Sequence, residues 1–356
     1  MTKETVMKKT CAILLILLSG IVEAKPIKVL LFYPRNENFW NRMVLFAEEA
    51  ASDLKIEIES INGNDNHIHM INTLKQKLKS DKPDVFVFNN YKSTASRFIE
   101  MTHEAKTHAF LINSDLQMEM KQKMGSPRTL YPYWIGQMLP GEEKAGMKVA
   151  EILFNHANTV LAINGVHQTG AAIMRESALK KALENKKVDL KQVLYTNKWA
   201  RKPAAILTER AFRRYPKIQG IWAANYSLAL GVVDCIQKMG LKPGKDIYVS
   251  GYDIPVEVLQ NIKNGKILVT TGGHFIEAAW AMVVIHDFLN GIEIPAKMET
   301  PMAIVTKKNA DLYLNNVTDK KLTKQNVKKI NFNKYSKKYN GGKPYNFSLD
   351  SILEQL

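Results

Sequence analysis

The sequence predicts an α/β protein of two similar doubly wound parallel-sheet lobes, and three observations carry that prediction. Short apolar runs alternate with amphipathic segments from Ile27 onward, the pattern of repeated βα units. The runs are almost continuously apolar, so the strands are covered on both faces, as strands of parallel sheets are. The alternation lapses over a polar, Met-rich stretch from Asp115 to Arg128 and then restarts, giving a second set of the same units. Length agrees, because 356 residues supply two domains with separate cores.

The first set begins with a strand over Ile27 to Tyr33 and a helix over Phe39 to Leu54. A strand over Lys55 to Glu59 and a helix over His67 to Leu78 follow, the helix with Ile68, Ile71, Leu74 and Leu78 on one face. Next come a strand over Asp84 to Asn89, a helix over Ser93 to Lys106 and a strand over Ala109 to Asn113. After the polar break, Tyr133 to Gly136 resumes a strand, and Pro140-Gly141 opens a helix over Glu142 to Phe154. The second set has strands over Thr159 to Ile163 and Val188 to Tyr195, with helices over Ala171 to Leu183 and Pro203 to Tyr215. Its clearest unit is Ile221 to Asp253: an apolar run ending in Asn225, a helix closed by Gly240, and a run from Ile247 ending in Gly251-Tyr252-Asp253. A strand over Ile267 to Thr271, a helix over Glu277 to Leu289 and a strand near Ala303 to Thr306 complete the regular pattern.

The N-terminus reads as a leader. Lys8-Lys9 precede an apolar run from Cys11 to Leu18, too short to span a bilayer, and Val22-Glu23-Ala24 offers a small-residue cleavage site. Cleavage after residue 24 leaves Cys235 as the single cysteine, so no internal disulfide forms and Cys235 reads as core. The formal charge of +16 raises nucleic acid or an anionic surface as partners. Lysines are spread over most helices, however, and an exported chain does not meet DNA, so the charge reads as lysine bias and no nucleic acid is expected. The last forty residues, Val317 to Leu356, are the densest, with nine lysines against three acids.

Catalytic and metal signatures fail. The chain has no HExxH, GxSxG, P-loop, CxxC or DxDxDG element. Gly240 to Lys245 is a turn, and His67-x-His69 lacks a third ligand. No cofactor, metal or catalytic residue is expected, and a secreted enzyme is a remote alternative. What stands out is a set of polar and aromatic residues at strand ends, where ligands collect in parallel sheets. Asn36, Asn38, Phe39 and Trp40 follow the first strand; Phe39 reads as core or ligand contact, and Trp40 suits the C–H face of a sugar ring. Asn90 and Asp115 end two further strands as helix caps or ligand contacts. In the second set Arg175 either offers a rigid fork of donors to a pocket or lies at the surface, and Trp199 either faces a pocket or packs on its own lobe. Asn225 and Asp253 share one sheet rim as ligand contacts or as helix-cap and turn residues, and His274 either donates to a ligand or caps a helix. These residues form a grip for a small polar ligand.

Several segments together resemble the periplasmic binding proteins of the ribose-binding type. They are Asn38-Phe39-Trp40, Trp134 to Gly146 (WIGQ-x-x-PGE-x-x-AG), Arg175 to Leu183 and Tyr215 to Asn225, continuing with Leu228 to Gly231, Ser250 to Asp253 and Asn264 to His274. The GGHF element and the tail NFNKYSKKYN…YNFSLD look closest to the subgroup around the quorum-signal receptor LuxP. The resemblance implies two lobes joined by a three-strand hinge, with crossings near Gly136–Pro140, Thr271–His274 and Pro301–Val305. It divides the chain into residues 25–136 with 275–300, residues 137–273 with 301–316, and a basic tail over 317–356. It places the family's aromatic pair on Phe39 and Trp40, its pocket arginine on Arg175, and its asparagine and aspartate on Asn225 and Asp253. One departure is Tyr226, where the family's usual motif has aspartate, which alters the hydroxyl grip and points away from ribose or galactose. The implied function is a monomeric periplasmic receptor that closes on a sugar or sugar-like ligand for an ABC permease. The alternative is a co-receptor for a membrane sensor kinase or cyclase. A DNA-binding regulator with the same bilobal core needs an N-terminal helix-turn-helix where the leader stands.

Overall fold

The computed structural model describes residues 25–356 other than Gln168 and Asn185. The leader expected over residues 1–24 lies outside the described residues. Two six-stranded sheets are present. The first holds β1 (Ile27–Tyr33), β2 (Ile56–Asn62), β3 (Val85–Phe88), β4 (His108–Ile112), β5 (Trp134–Pro140) and β11 (Lys297–Thr300), in the order β11-β5-β4-β3-β1-β2. The second holds β6 (Thr159–Asn164), β7 (Asp189–Tyr195), β8 (Gly220–Ala223), β9 (Tyr248–Ser250), β10 (Val269–Gly272) and β12 (Ala303–Thr306), in the order β12-β10-β9-β8-β6-β7. All pairings are parallel except that of β10 with β12.

Continuous apolar strands did mean two covered faces. On β1, Val29 and Leu31 enter one core while Leu30 and Phe32 enter another, because successive side chains point to opposite faces. The second of these cores is aromatic: Phe32 meets Phe86 edge-on at 4.9 Å, and Phe86 meets Phe98 at 5.3 Å. The helices covering the first sheet include, besides one from later in the chain, α1 (Asn38–Asp53), α2 (His67–Ser80), α3 (Ala95–Glu104) and α4 (Met118–Met124). The last lies inside the stretch expected to be a break. Its apolar side chains are methionines, of which Met124 is buried and Met118 exposed, so no clear apolar stripe announces it. The second sheet is covered by α5 (Glu142–Phe154), α6 (Gly170–Leu183), α7 (Arg201–Arg214), α8 (Tyr226–Lys238) and α9 (Val256–Lys263). Cys235 on α8 is buried.

The chain passes between sheets three times. β5 stays in the first sheet through Pro140, paired with Thr300, so the first passage falls at Gly141, later than the boundary at 136 implied by the resemblance. The second runs from β10 through Gly273 and His274 into α10 (Glu277–Leu289), which packs on α1. The third joins β11 to β12. Gly273 has φ 95, a left-handed conformation natural to glycine, and a Cβ there would lie 2.7 Å from Leu349 Cδ2.

That contact with Leu349 shows what the lysine-rich end does. Residues 317–356 are not a loose tail: Val327, Phe332 and Ile352 are fully buried. Phe347 stacks on Trp280 of α10 at 4.9 Å, and Tyr335 meets the same indole edge-on at 4.7 Å. The segment is pinned at Asp319, which pairs with Arg42, and at Phe332, whose N–H donates to Asp53. Its last helix, α12 (Leu349–Leu353), carries Asp350, which accepts from Tyr313 on α11 (Ala310–Asn316) at 2.7 Å. Helix α11 packs on α9 of the second lobe, so the C-terminal segment bridges both lobes beside the hinge.

Candidate functional site

Strand order locates the crevice. In each sheet the first strand lies between the second and third, so the loops after β1 and β3, and after β6 and β8, leave in opposite directions. The gap between diverging loops is where open α/β sheets bind ligands. The expected residues lie at these strand ends: Asn36 to Trp40 after β1, Asn90 after β3, Asp115 after β4, Arg175 on α6, Trp199 after β7, Asn225 and Tyr226 after β8, Asp253 after β9, and His274 after β10.

The structure brings some of them together. The Phe39 ring lies 4.7 Å from the His274 ring, which joins the first lobe's α1 to the second crossing. Arg175 is buried; its Nη2 donates to Glu142 Oε1 at 2.8 Å and its Nη1 to the Ala224 carbonyl at 2.8 Å. Its guanidinium carbon sits 4.6 Å above the Tyr252 ring. Asp253 and His274 are close enough to share the electrostatics of this pair. Asp253 is held at φ 68, an uncommon conformation for a residue with a side chain, by its N–H to Thr271 O and by Thr270 Oγ1 to its own carbonyl. Among the described residues, nothing donates to its carboxylate.

Others have prior commitments. Asn225 caps α8 by accepting from Leu228 N–H, and Asn90 accepts from Ala95 N–H at the start of α3 while donating to the Asp115 carbonyl. Asp115 pairs with Lys121 at 2.6 Å, and Asn38 donates to Asp319. Asn36 is exposed. Trp40 packs edge-on against Phe39 at 5.0 Å, and Tyr226 is half-buried at the start of α8. Trp199 lies flat against Gly165 at the end of β6, where an added Cβ would fall 2.2 Å from its ring.

Sequence reasoning missed the carboxylates at the hinge. Glu142 opens α5 just after the first crossing, Glu277 opens α10 after the second, and Thr300 ends the strand before the third; Thr300 Oγ1 donates to Glu277 Oε1 at 2.6 Å. Burial pushes the Glu142 carboxyl up, but Arg175 outweighs it and holds the group charged. Burial lowers the His274 imidazole, leaving it neutral, and its Nδ1 is buried without a partner among the described residues. Glu277 is fully buried; burial drives its carboxyl well above the usual range, Glu142 adds to the rise, and Thr300 and Asn113 offset it only in part. An acid whose folded value is raised keeps its proton after the unfolded chain has released its own. The stability it contributes is therefore whole below about pH 4.5 and falls as pH rises toward the folded value. Glu277→Gln, the neutral isostere, is expected to match the parent in urea unfolding at pH 4 and to exceed it at pH 8. Equal stabilities at both pH values would show that Glu277 carries no such proton.

Two concavities elsewhere are less suited to ligand capture. One of about 510 Å³ is lined by His167, Glu176 and Tyr195, but Glu176 already accepts from Tyr195 and Asn164 and pairs with Lys180. One of about 540 Å³ lies against Phe212, Met239 and Ile247. Neither includes Arg175, Asp253 or His274.

Two α/β lobes joined by three crossings, with a crevice between diverging loops, define a two-lobed binding-protein fold. Residues 27–292 match the periplasmic binding protein domain, and the chain belongs to that family. It is similar to the ribose import binding protein of Bacillus subtilis, at 27% identity over 170 residues. That match takes in 47% of this chain and about half (53%) of the relative. Among solved structures it is similar to a periplasmic sugar-binding protein from Pseudomonas fluorescens, with a TM-score of 0.75 and 26% identity over 92% of this chain and 99% of that one. A solute-binding protein of an ABC transporter from Actinobacillus succinogenes, solved with D-allose, shares the fold with a TM-score of 0.69 at 20% identity, over 81% of this chain and 100% of that one.

Proposed function

We propose that this protein captures a small polyhydroxylated ligand, a sugar or sugar-like molecule, between its lobes in the periplasm and presents it to an ABC-type permease. The observation that carries the reading is the free carboxylate of Asp253, held in a left-handed turn beside Arg175 and His274. A strained acid with no internal partner at a strand end is matched to an outside donor. Arg175 and Asp253 belong to the second lobe and Phe39 to the first, so closure completes the contact set. The named relatives bind sugars, which supports the same class here. Asn225 and Asp253 act as hydroxyl partners, Trp40 and Trp199 as ring walls, and Tyr226 as the residue that separates this ligand from the family's common ones.

The test is a panel of uncharged sugars, including D-ribose, D-allose and myo-inositol, read by thermal shift and tryptophan emission. At a hundredfold excess over Kd a bound ligand adds about 2.7 kcal/mol, which raises Tm by about 5 °C or more. A flat response across the panel overturns the carbohydrate reading. A second reading, a closed form read by a membrane sensor kinase or cyclase in the LuxP-like manner, is favoured by the C-terminal segment. That segment sets Leu349 on the hinge glycine and leaves its lysines, among the described residues, without a carboxylate partner.

A further inference from the structure

We propose that Glu142, with Tyr252, is a positioning platform that fixes Arg175 and cancels its charge, so that the crevice selects uncharged ligands over acidic ones. This rests on the reading that Arg175 lines the ligand site. The platform gives a physical role to the PGE-x-x-AG segment. Glu142 and Gly146 are one turn apart on the same buried face of α5. Arg175 and Ala178 are related in the same way on α6, which packs against α5. Gly146 faces Ala178, and a Cβ there would lie 2.8 Å from the Ala178 Cβ and 2.3 Å from the Tyr252 hydroxyl. The missing side chain therefore lets the helices approach and lets Tyr252 slide beneath the guanidinium.

The result is an arginine held from three sides. Glu142 takes Nη2, the Ala224 carbonyl takes Nη1, and the Tyr252 ring lies below. Among the guanidinium nitrogens, Nε is the one with no partner among the described residues, and its N–H is buried. A neutral oxygen can accept from it. A carboxylate or phosphate meets a guanidinium already neutralised by Glu142, with the Asp253 carboxylate nearby. The groups facing the crevice here are Glu142 and Arg175 as a pair, Asp253 and the uncharged His274, so no positive charge is in excess. A ligand that brings a negative charge finds nothing to pair with.

The test has a ligand-free limb and a ligand limb. With 15N in the arginine side chains, the Arg175 Nε–H signal of the unliganded protein is expected to be distinct and slow to exchange. Glu142→Gln is expected to speed that exchange tenfold or more. In the ligand limb the probes are matched pairs: D-glucose with D-glucuronate, D-galactose with D-galacturonate, and D-ribose with D-ribose 5-phosphate. The parent is expected to bind only uncharged members. Glu142→Gln is expected to weaken those about 10-fold or more, the loss of one hydrogen bond to a charged group, and to gain the acidic partner. Where Glu142→Gln fails to fold, Tyr252→Leu carries the test: it should loosen Arg175, and Tyr252→Phe should not.

Unchanged Nε–H exchange in Glu142→Gln overturns the platform. Acidic sugars that bind the parent as well as neutral ones, or a variant that loses neutral ligands without gaining acidic ones, overturn the charge selection. If the parent binds no sugar at all, the sugar-capture reading fails, and the exchange measurement still decides whether Glu142 fixes Arg175.

Discussion

Asp253→Asn is expected to weaken sugar binding about 100-fold while moving the Tm of the unliganded protein by no more than a degree or two. Asparagine tolerates the left-handed backbone nearly as well as aspartate, so φ 68 is retained at little cost. The backbone bonds that hold the turn, to Thr271 O and from Thr270 Oγ1, do not involve the side chain. What changes is the acceptor. Hydrogen bonds to a charged group contribute about 1.5–3 kcal/mol each, and a carboxylate that grips two hydroxyls loses roughly two of them, or about two decades of affinity. Isothermal titration gives the affinity and a calorimetric scan gives the Tm. A fall of several degrees without ligand would show that Asp253 holds the fold, and undiminished affinity would remove it from the site.

Asp287→Ala is expected to be the most damaging change away from the crevice. Its carboxylate is fully buried on α10 and accepts from Ser336 Oγ, from Lys337 N–H at 2.7 Å and from Tyr345 Oη at 2.9 Å, all three on the C-terminal segment. Burial pushes this carboxyl up, but the hydrogen bonds from His286, Ser336, Lys337 and Tyr345 outweigh it and hold it below the ordinary range. Truncation takes this acceptor from all four groups, and the cost is about 3–5 kcal/mol, as for breaking a buried ionic contact. In a lobe of this size that lowers Tm by roughly 10 °C. The freed segment exposes a run of lysines, so trypsin should remove it from the variant well before it cuts the parent. The sign with pH also follows: a depressed acid contributes fully above its ordinary value near 3.8 and loses that contribution as pH falls through the folded value. The parent's stability should drop at the acid end, and that part of the drop should be missing from Asp287→Ala. An unchanged melting curve and digestion pattern would show that Asp287 does not anchor the C-terminal segment.

Much of the fold was legible because a covered parallel strand leaves a plain trace in sequence. Strand β1 and helix α5 fall where apolar runs and the Pro140-Gly141 start place them. Positions of site candidates were legible for the same reason, since the end of a strand is the end of an apolar run. Their side-chain partners were not. Nothing local distinguishes Asn225, which caps its helix, from Asp253, whose carboxylate stays free. Glu277 looks like an ordinary first-turn acid of an apolar helix, and its burial comes from Thr300, Glu142 and the hinge around it. The C-terminal segment hid for a related reason. Lysines at its surface dominate its composition, while Phe332 and Tyr335 share only a single turn, Phe347 lies twelve residues further on, and the three meet Trp280 only in three dimensions. Helix α4 was missed because methionines in a polar stretch carry too little apolar signal.

The position of that segment also constrains the order in which the molecule is assembled. Between Gly141 and Gly272 the second lobe is one unbroken stretch of chain, and it needs only β12 and α11 besides. The first lobe joins α1, near the start of the described chain, to Asp319 and Phe332, near its end, and joins α10 to Phe347. Contacts that span about 280 residues close slowly because a large loop must be ordered before they form. A chain released from its N-terminus onward can complete the second lobe while the first still waits for its last forty residues. The lobe that appears first in sequence is the one that finishes last.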